Sequence, residues 1–87
     1  MLQILMEVPI GKVTHYYGKA GVAVVALSAP LKIGDRVKVK DGDREWEQEV
    51  ASMQIDHKPV QASDTGDEVA IKVNDKAREG ALVIVER

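Results

Sequence analysis

With 87 residues the chain has room for one domain and no more, and its core can only be modest. Its 45% hydrophobic and 30% charged residues are ordinary for a globular protein, while the absence of Cys excludes a disulfide framework and a thiolate metal site. The formal charge of −2 is unevenly spread: residues 1–40 carry six Lys/Arg against two acids, and residues 41–87 carry six against twelve.

The apolar set is rich in Val and contains no Phe, and aromatics are 3% of the chain. β-Branched side chains are stiff at χ1 and suit a pleated surface, so this composition favours strands. The start, Met1-Leu-Gln-Ile-Leu-Met6, is apolar for too few residues to act as a signal peptide or a membrane span. The expected setting is the cytoplasm, with no membrane partner. Those six residues have no evident core slot. They are expected either to pair with a neighbour or to add to the domain as an extra strand, which gives an extension over 1–8 and a main body over 9–85.

In chain order, Ile10 to Tyr17 reads as a strand with blurred alternation, entered from Pro9, and Gly18 to Gly21 reads as a turn. Val22 to Leu27 is a near-continuous apolar run. Its length and flanking turns favour a strand covered on both faces over a buried helix. Ser28 to Asp35 is a connection with Leu31 and Ile33 dipping into the core. Arg36 to Lys40 alternates cleanly, with Val37 and Val39 inward, before an Asp-Gly hairpin turn over 41–43.

Glu45 to Ile55 reads as one strand whose apolar side switches part-way, which predicts a bulge or a bend round a corner. Asp56-His-Lys-Pro59 is expected to end the pairing, and Val60 to return to the core. Ser63 to Asp67 is a turn, Val69 to Val73 a strand, and Asn74 to Gly80 a polar connection with room for one helical turn. Ala81 to Val85 is the last strand. Six strands separated by Gly-bearing turns, with no helical periodicity, predict an all-β barrel or sandwich. Closure is attractive in so small a chain because it removes sheet edges.

The order of short motifs resembles the second domain of translational GTPases, the β-barrel beside the GTPase domain of elongation factor Tu. The residues that carry the likeness are Gly11-Lys-Val13, Leu31-Lys-Ile-Gly-Asp35, Met53-Gln-Ile-Asp-His-Lys-Pro-Val60, Gly66-Asp-Glu-Val69 and Arg78-Glu-Gly80-Ala-Leu-Val83. A similar barrel ends some collagenase-like peptidases that act on translation or RNA-modification pathways. The resemblance implies a closed six-stranded Greek-key barrel and a stand-alone, translation-related accessory protein that docks on a protein or ribonucleoprotein partner. It implies no GTP hydrolysis, because Gly18-Lys19 and Gly11-Lys12 lack the spacing and the hydroxyl of a phosphate loop. By position, the tRNA-contacting Glu, Arg and Asn of the family fall on Gln54, His57 and Glu68, all changed in type.

The candidate binding residues are therefore Gln54, Asp56, His57, Lys58 and Glu68, at the strand corner and the following turn. A second candidate face joins Lys12, His15, Tyr16, Lys19, Arg36, Lys38 and Lys40, where cations and aromatics would serve RNA. Two histidines, His15 and His57, even with Asp56, fall short of a convincing metal set, so neither metal nor cofactor is expected. No nucleophile elbow is evident, and the acid pairs Asp41/Asp43 and Glu47/Glu49 read as solvated charge in a turn and on an outward strand face, so no catalytic residue and no enzyme activity are expected. A protein partner or a weak homo-oligomer is the favoured association, with RNA as the alternative.

Overall fold

A computed structural model describes residues 7–86; the apolar start at 1–6, expected to pair or add a strand, lies outside the described residues. Ten strands form: β1 (Glu7–Tyr17), β2 (Val22–Leu27), β3 (Leu31–Lys32), β4 (Arg36–Asp41), β5 (Arg44–Glu49), β6 (Met53–Ile55), β7 (Lys58–Pro59), β8 (Ala62–Ser63), β9 (Glu68–Lys72) and β10 (Leu82–Glu86). Eight belong to one antiparallel sheet in the order β5-β4-β10-β1-β2-β9-β6-β7, and β3 pairs with β8 in a separate ribbon. The all-β reading holds. The closed six-stranded Greek-key barrel does not: the ladder runs open from β5 to β7.

The alternation within each strand decides which face is buried. Val37 and Val39 on β4, Ala23, Val25 and Leu27 on β2, and Val69 and Ile71 on β9 all point into one core, which Leu31, Val50, Met53 and Val83 complete. The ribbon closes one side of that core. Ser63 Oγ donates to the Leu31 carbonyl at 2.9 Å and lies 3.3 Å from Met53 Sδ.

Long strand β1 carries two register shifts, one between Pro9 and Gly11 and one between Val13 and His15. A bulge inserts one unpaired residue and reverses the facing of every residue after it. Past the second bulge, His15 and Tyr17 pair with the outward residues Val24 and Val22, and Tyr16 pairs with buried Ala23 and packs on the core. This is why the alternation in Ile10–Tyr17 is blurred. Between the bulges, β2 crosses so close that a Cβ on Gly11 would lie 2.4 Å from the Ala26 carbonyl oxygen.

The span Glu45–Ile55 is two strands, not one bulged strand. β5 ends at Glu49 on one edge of the sheet, and β6 starts at Met53 near the other. Val50 anchors the passage: its N–H donates to the Asp35 carbonyl and its own carbonyl accepts from Gly34, both at 2.9 Å. The switch of apolar side is this change of neighbours. Lys58-Pro59 was expected to end the pairing, yet it pairs back as β7. The 74–80 connection forms no helical turn, although Ala77 is fully buried.

Two buried polar groups tie the open sheet across. Gln48 on edge strand β5 donates from Nε2 to the Lys72 carbonyl at 2.8 Å. Its Oε1 accepts from Asn74 N–H at 2.8 Å and from Trp46 Nε1 at 2.9 Å. Asp41, at the end of β4, accepts from the Arg78 backbone N–H and from Arg78 Nε, both at 3.1 Å. Those hydrogen bonds, the side-chain one first, hold the Asp41 carboxyl below the usual carboxylate range.

On the outer face of β10, Glu86 is raised, first by sharing a hydrogen bond with Glu47 and then by burial. The same hydrogen bond lowers Glu47. Beside them Glu7 pairs with Lys38.

Gln48→Met removes three hydrogen bonds and leaves the Lys72 carbonyl, the Asn74 N–H and Trp46 Nε1 without this partner, at a cost of about 1–3 kcal/mol for each group that water does not reach. Urea unfolding is expected to show a fall of at least that size, with Trp46 emission altered by loss of its acceptor. A change under about 0.5 kcal/mol would contradict the tie. The Asp41 link carries a pH signature. Because the folded carboxyl is lowered, its stabilisation is complete above the unfolded value of about 3.9 and is lost as pH falls through the folded value. Asp41→Asn is expected to lower Tm by several degrees at neutral pH and to flatten the acid limb of Tm against pH. An acid limb identical to that of the parent chain would contradict the assignment.

Candidate functional site

The sheet register places outward residues of β2, β9 and β6 side by side. His15, Val24, Ala70, Gln54 and Pro59 form one row across β1, β2, β9, β6 and β7. Adjacent to it, Tyr17, Val22 and Lys72 form a second row, and Lys12, Ala26 and Glu68 a third. A groove of about 410 Å³ opens along these rows, lined by Tyr17, Ala20, Val22, Val24, Gln54, Asp56, His57, Glu68 and Ala70. Val22, Val24 and Ala70 are its half-buried floor, and the polar residues form its exposed rim.

The corner of the rim is a two-residue hairpin loop. Ile55 pairs with Lys58, and between them Asp56 and His57 take φ of 51° and 65°. Two successive left-handed residues make the primed turn that matches strand twist, a geometry in which Asn-Gly is favoured. Neither residue here is Gly, and among the described residues they are the only non-glycines with positive φ. A left-handed conformation costs an ordinary residue about 1–2 kcal/mol. Asp suits the first position of this turn, so that cost falls mainly on His57, at the position where Gly is favoured.

Tyr17 forms the opposite wall. At 53% exposure it is the exposed large hydrophobic residue among the described positions. Its ring lies 4.4 Å from that of His15, tilted by 51°. His15 Nδ1 is in turn 3.6 Å from Glu79 Oε1.

Of the corner residues selected from the sequence, Gln54, Asp56, His57 and Glu68 converge on this groove, and Lys58 is not part of its lining. Tyr17, Val22, Val24 and Ala70 were missed. The signal for the two valines was present: Val22–Leu27 is apolar on both faces, and only its inward set is needed by the core.

The face proposed for RNA is differently built. Tyr16 turns into the core. Lys38 pairs with Glu7, Arg36 lies 3.6 Å from Glu47, and Lys40 lies 4.0 Å from Glu45. Lys12 and Lys19 are exposed. Carboxylates thus interleave the cations across β4, β10 and β1, and the face is no continuous cationic strip. Among the described residues no group of three or more His, Asp or Glu could hold a metal ion.

The chain shares its fold with solved structures of other proteins. It superposes on the C-terminal domain of a putative U32 peptidase from Geobacillus thermoleovorans with a TM-score of 0.83, at 18% identity, covering 90% of this chain and 91% of that one. The selenomethionine variant of that domain gives a TM-score of 0.82 at 18% identity, covering 86% and 95%. In sequence, the chain is 39% identical over 78 residues to an uncharacterized protease of Methanocaldococcus jannaschii. That match takes in 88% of this chain and 19% of the relative, so the chain spans about a fifth of the relative's length. No protein-family model matches the chain.

These relatives overturn the resemblance to elongation factor Tu and, with it, the translation-related accessory role: both the structural and the sequence matches are peptidase-type proteins. The motifs that suggested the resemblance are mostly turns. Gly34, Gly66 and Gly80 all carry positive φ, and Gly-Asp sequences mark such turns in β-domains of any descent.

The strain at the corner is open to measurement. His57→Gly is expected to leave Tm unchanged or raised, since Gly adopts positive φ without steric cost. His57→Val is expected to lower stability by about 1–2 kcal/mol. Thermal unfolding followed by circular dichroism checks both. A fall in Tm for the Gly variant would mean that the imidazole itself holds the turn.

Proposed function

We propose that this chain is a non-catalytic docking domain of a U32-peptidase-type protein and that the groove across β2, β9 and β6 receives a polypeptide segment. The observation that carries this reading is the division of the sheet's outer surface. Over β4 and β5 it bears Arg36, Lys38, Lys40, Glu45 and Glu47, a surface suited to water. Over β2 and β9 the equivalent outward positions are Val22, Val24, Ala26 and Ala70, flanked along β9 by Glu68 and Lys72 and beside an exposed Tyr17. Apolar surface of this kind, rimmed by polar groups, marks an interaction site.

Two features support a polypeptide as the occupant. The similar proteins are described as a putative peptidase and a protease, whose working partners are polypeptides. The groove is also open to solvent across the strand rows rather than a closed cavity, a form that admits an extended chain. No catalytic role is assigned to the groove, because its rim offers no nucleophile paired with a base.

The test is titration of the isotope-labelled 87-residue chain with a degenerate pool of blocked nonapeptides, followed by amide NMR. Shifts are expected at Val22, Val24, Gln54, His57 and Ala70, with the peptides recovered intact by mass spectrometry. Val24→Glu is expected to abolish them while leaving the rest of the spectrum in place. Shifts confined to β4 and β5, or cleavage of the peptides, would overturn the reading.

A further inference from the structure

The chemistry of the groove selects among polypeptides. Its ionisable lining is Asp56, Glu68 and His57, with no Lys or Arg in its walls. Glu68 is two residues along β9 from Ala70, and Ala70 pairs with Gln54, so Glu68 stands diagonally across from Gln54. Diagonal cross-strand neighbours are roughly 7–8 Å apart at Cα, within reach of one long side chain. Asp56 is held on the adjacent corner by the left-handed turn. Lys72, which pairs with Val22 two residues along β9 from Ala70, and Lys12, at the other end of the Ala26 row from Glu68, are not among the lining residues. The floor between the carboxylates and Tyr17 is aliphatic.

We infer that the groove captures a basic side chain of an extended peptide, arginine in preference to lysine, with its methylene stem on Val22, Val24 and Ala70 and its cationic head between Asp56 and Glu68. This rests on the docking reading above. Long cationic side chains cover apolar surface with their stems while the head stays polar, which is the division of chemistry this groove presents. Arginine is favoured over lysine because its planar fork meets two carboxylates in two directions, which a single ammonium does not. The same carboxylates repel phosphate, so a nucleic-acid backbone is the wrong occupant for this groove.

Calorimetric titration of the full 87-residue chain with four blocked peptides of sequence Ala-Ala-Leu-X-Leu-Ala-Ala tests the inference, where X is arginine, citrulline, lysine or glutamate. Citrulline keeps the shape of arginine and removes the charge. The arginine peptide is expected to bind about tenfold more tightly than the citrulline peptide, with lysine between them and glutamate weakest. Asp56→Asn and Glu68→Gln are each expected to bring arginine most of the way to the citrulline level while citrulline binding is unchanged. Asn tolerates the left-handed turn, so the first variant keeps the corner.

Equal affinity for arginine and citrulline would overturn the charge assignment and leave the docking reading standing. Failure of all four peptides to bind would sink both. Displacement of the arginine peptide by an oligouridylate of similar length would overturn the inference in favour of nucleic acid.

Discussion

The side-chain amide of Gln48 is the constraint on which the shape of this molecule depends. The sheet is open, and its edge strand β5 pairs with β4 alone. Backbone pairing does not bring the end of β9 to β5. Gln48 does so by acting as an inserted peptide group: one of its two N–H donors and both acceptor positions are used, on Lys72, Asn74 and Trp46. An amide buried to 4% exposure would be costly if unpaired, so the satisfied arrangement is specific as well as stabilising. It fixes the chain just past β9, the strand that carries Ala70 and Glu68 to the groove. The Asp41–Arg78 link does the same for the connection between β9 and β10, where the hydrogen-bonded acid is only 6% exposed.

Much of the backbone plan was legible from residue type. The clean alternation of Arg36 to Lys40, the apolar run at Val22, and the Gly-bearing turns all correspond to observed elements. The corner cluster was legible too, since polar residues between two short apolar runs have few places to go, and Gln54, Asp56, His57 and Glu68 converge. Tyr17 was not legible, for a definite reason. The bulge at Thr14 reverses the facing of the three residues after it, and nothing in the composition of Ile10–Tyr17 announces where the extra residue sits. Without the bulge Tyr17 would share the core with Val13, and the groove would lose its aromatic wall.

The division of Glu45–Ile55 was hidden by the opposite circumstance. Both halves have strand-like composition, and only long-range pairing separates them, β5 to β4 and β6 to β9. Local pattern reports that a segment is extended; it does not report which neighbour the segment extends beside. The likeness to elongation factor Tu failed on related grounds. Turn glycines and inward valines are shared by small β-domains because sterics and burial demand them, so their order tracks architecture more closely than activity.

The two halves of the outer surface obey different physics. Over β4, β5 and β10 the charges neutralise one another at close range, as in Glu7 with Lys38 and Arg36 with Glu47, and each exposed pair contributes little to stability. That half keeps the sheet wet, and its charged edge strand discourages further pairing. Over β2, β9 and β6 apolar floor, left-handed corner and unneutralised acids occur together. Each runs against the interest of an isolated domain: the floor is half-exposed valine, His57 is left-handed where Gly is favoured, and no Lys or Arg lines the walls beside Asp56 and Glu68. The coincidence of these features at one place, rather than any one of them alone, is what supports the docking proposal for the groove.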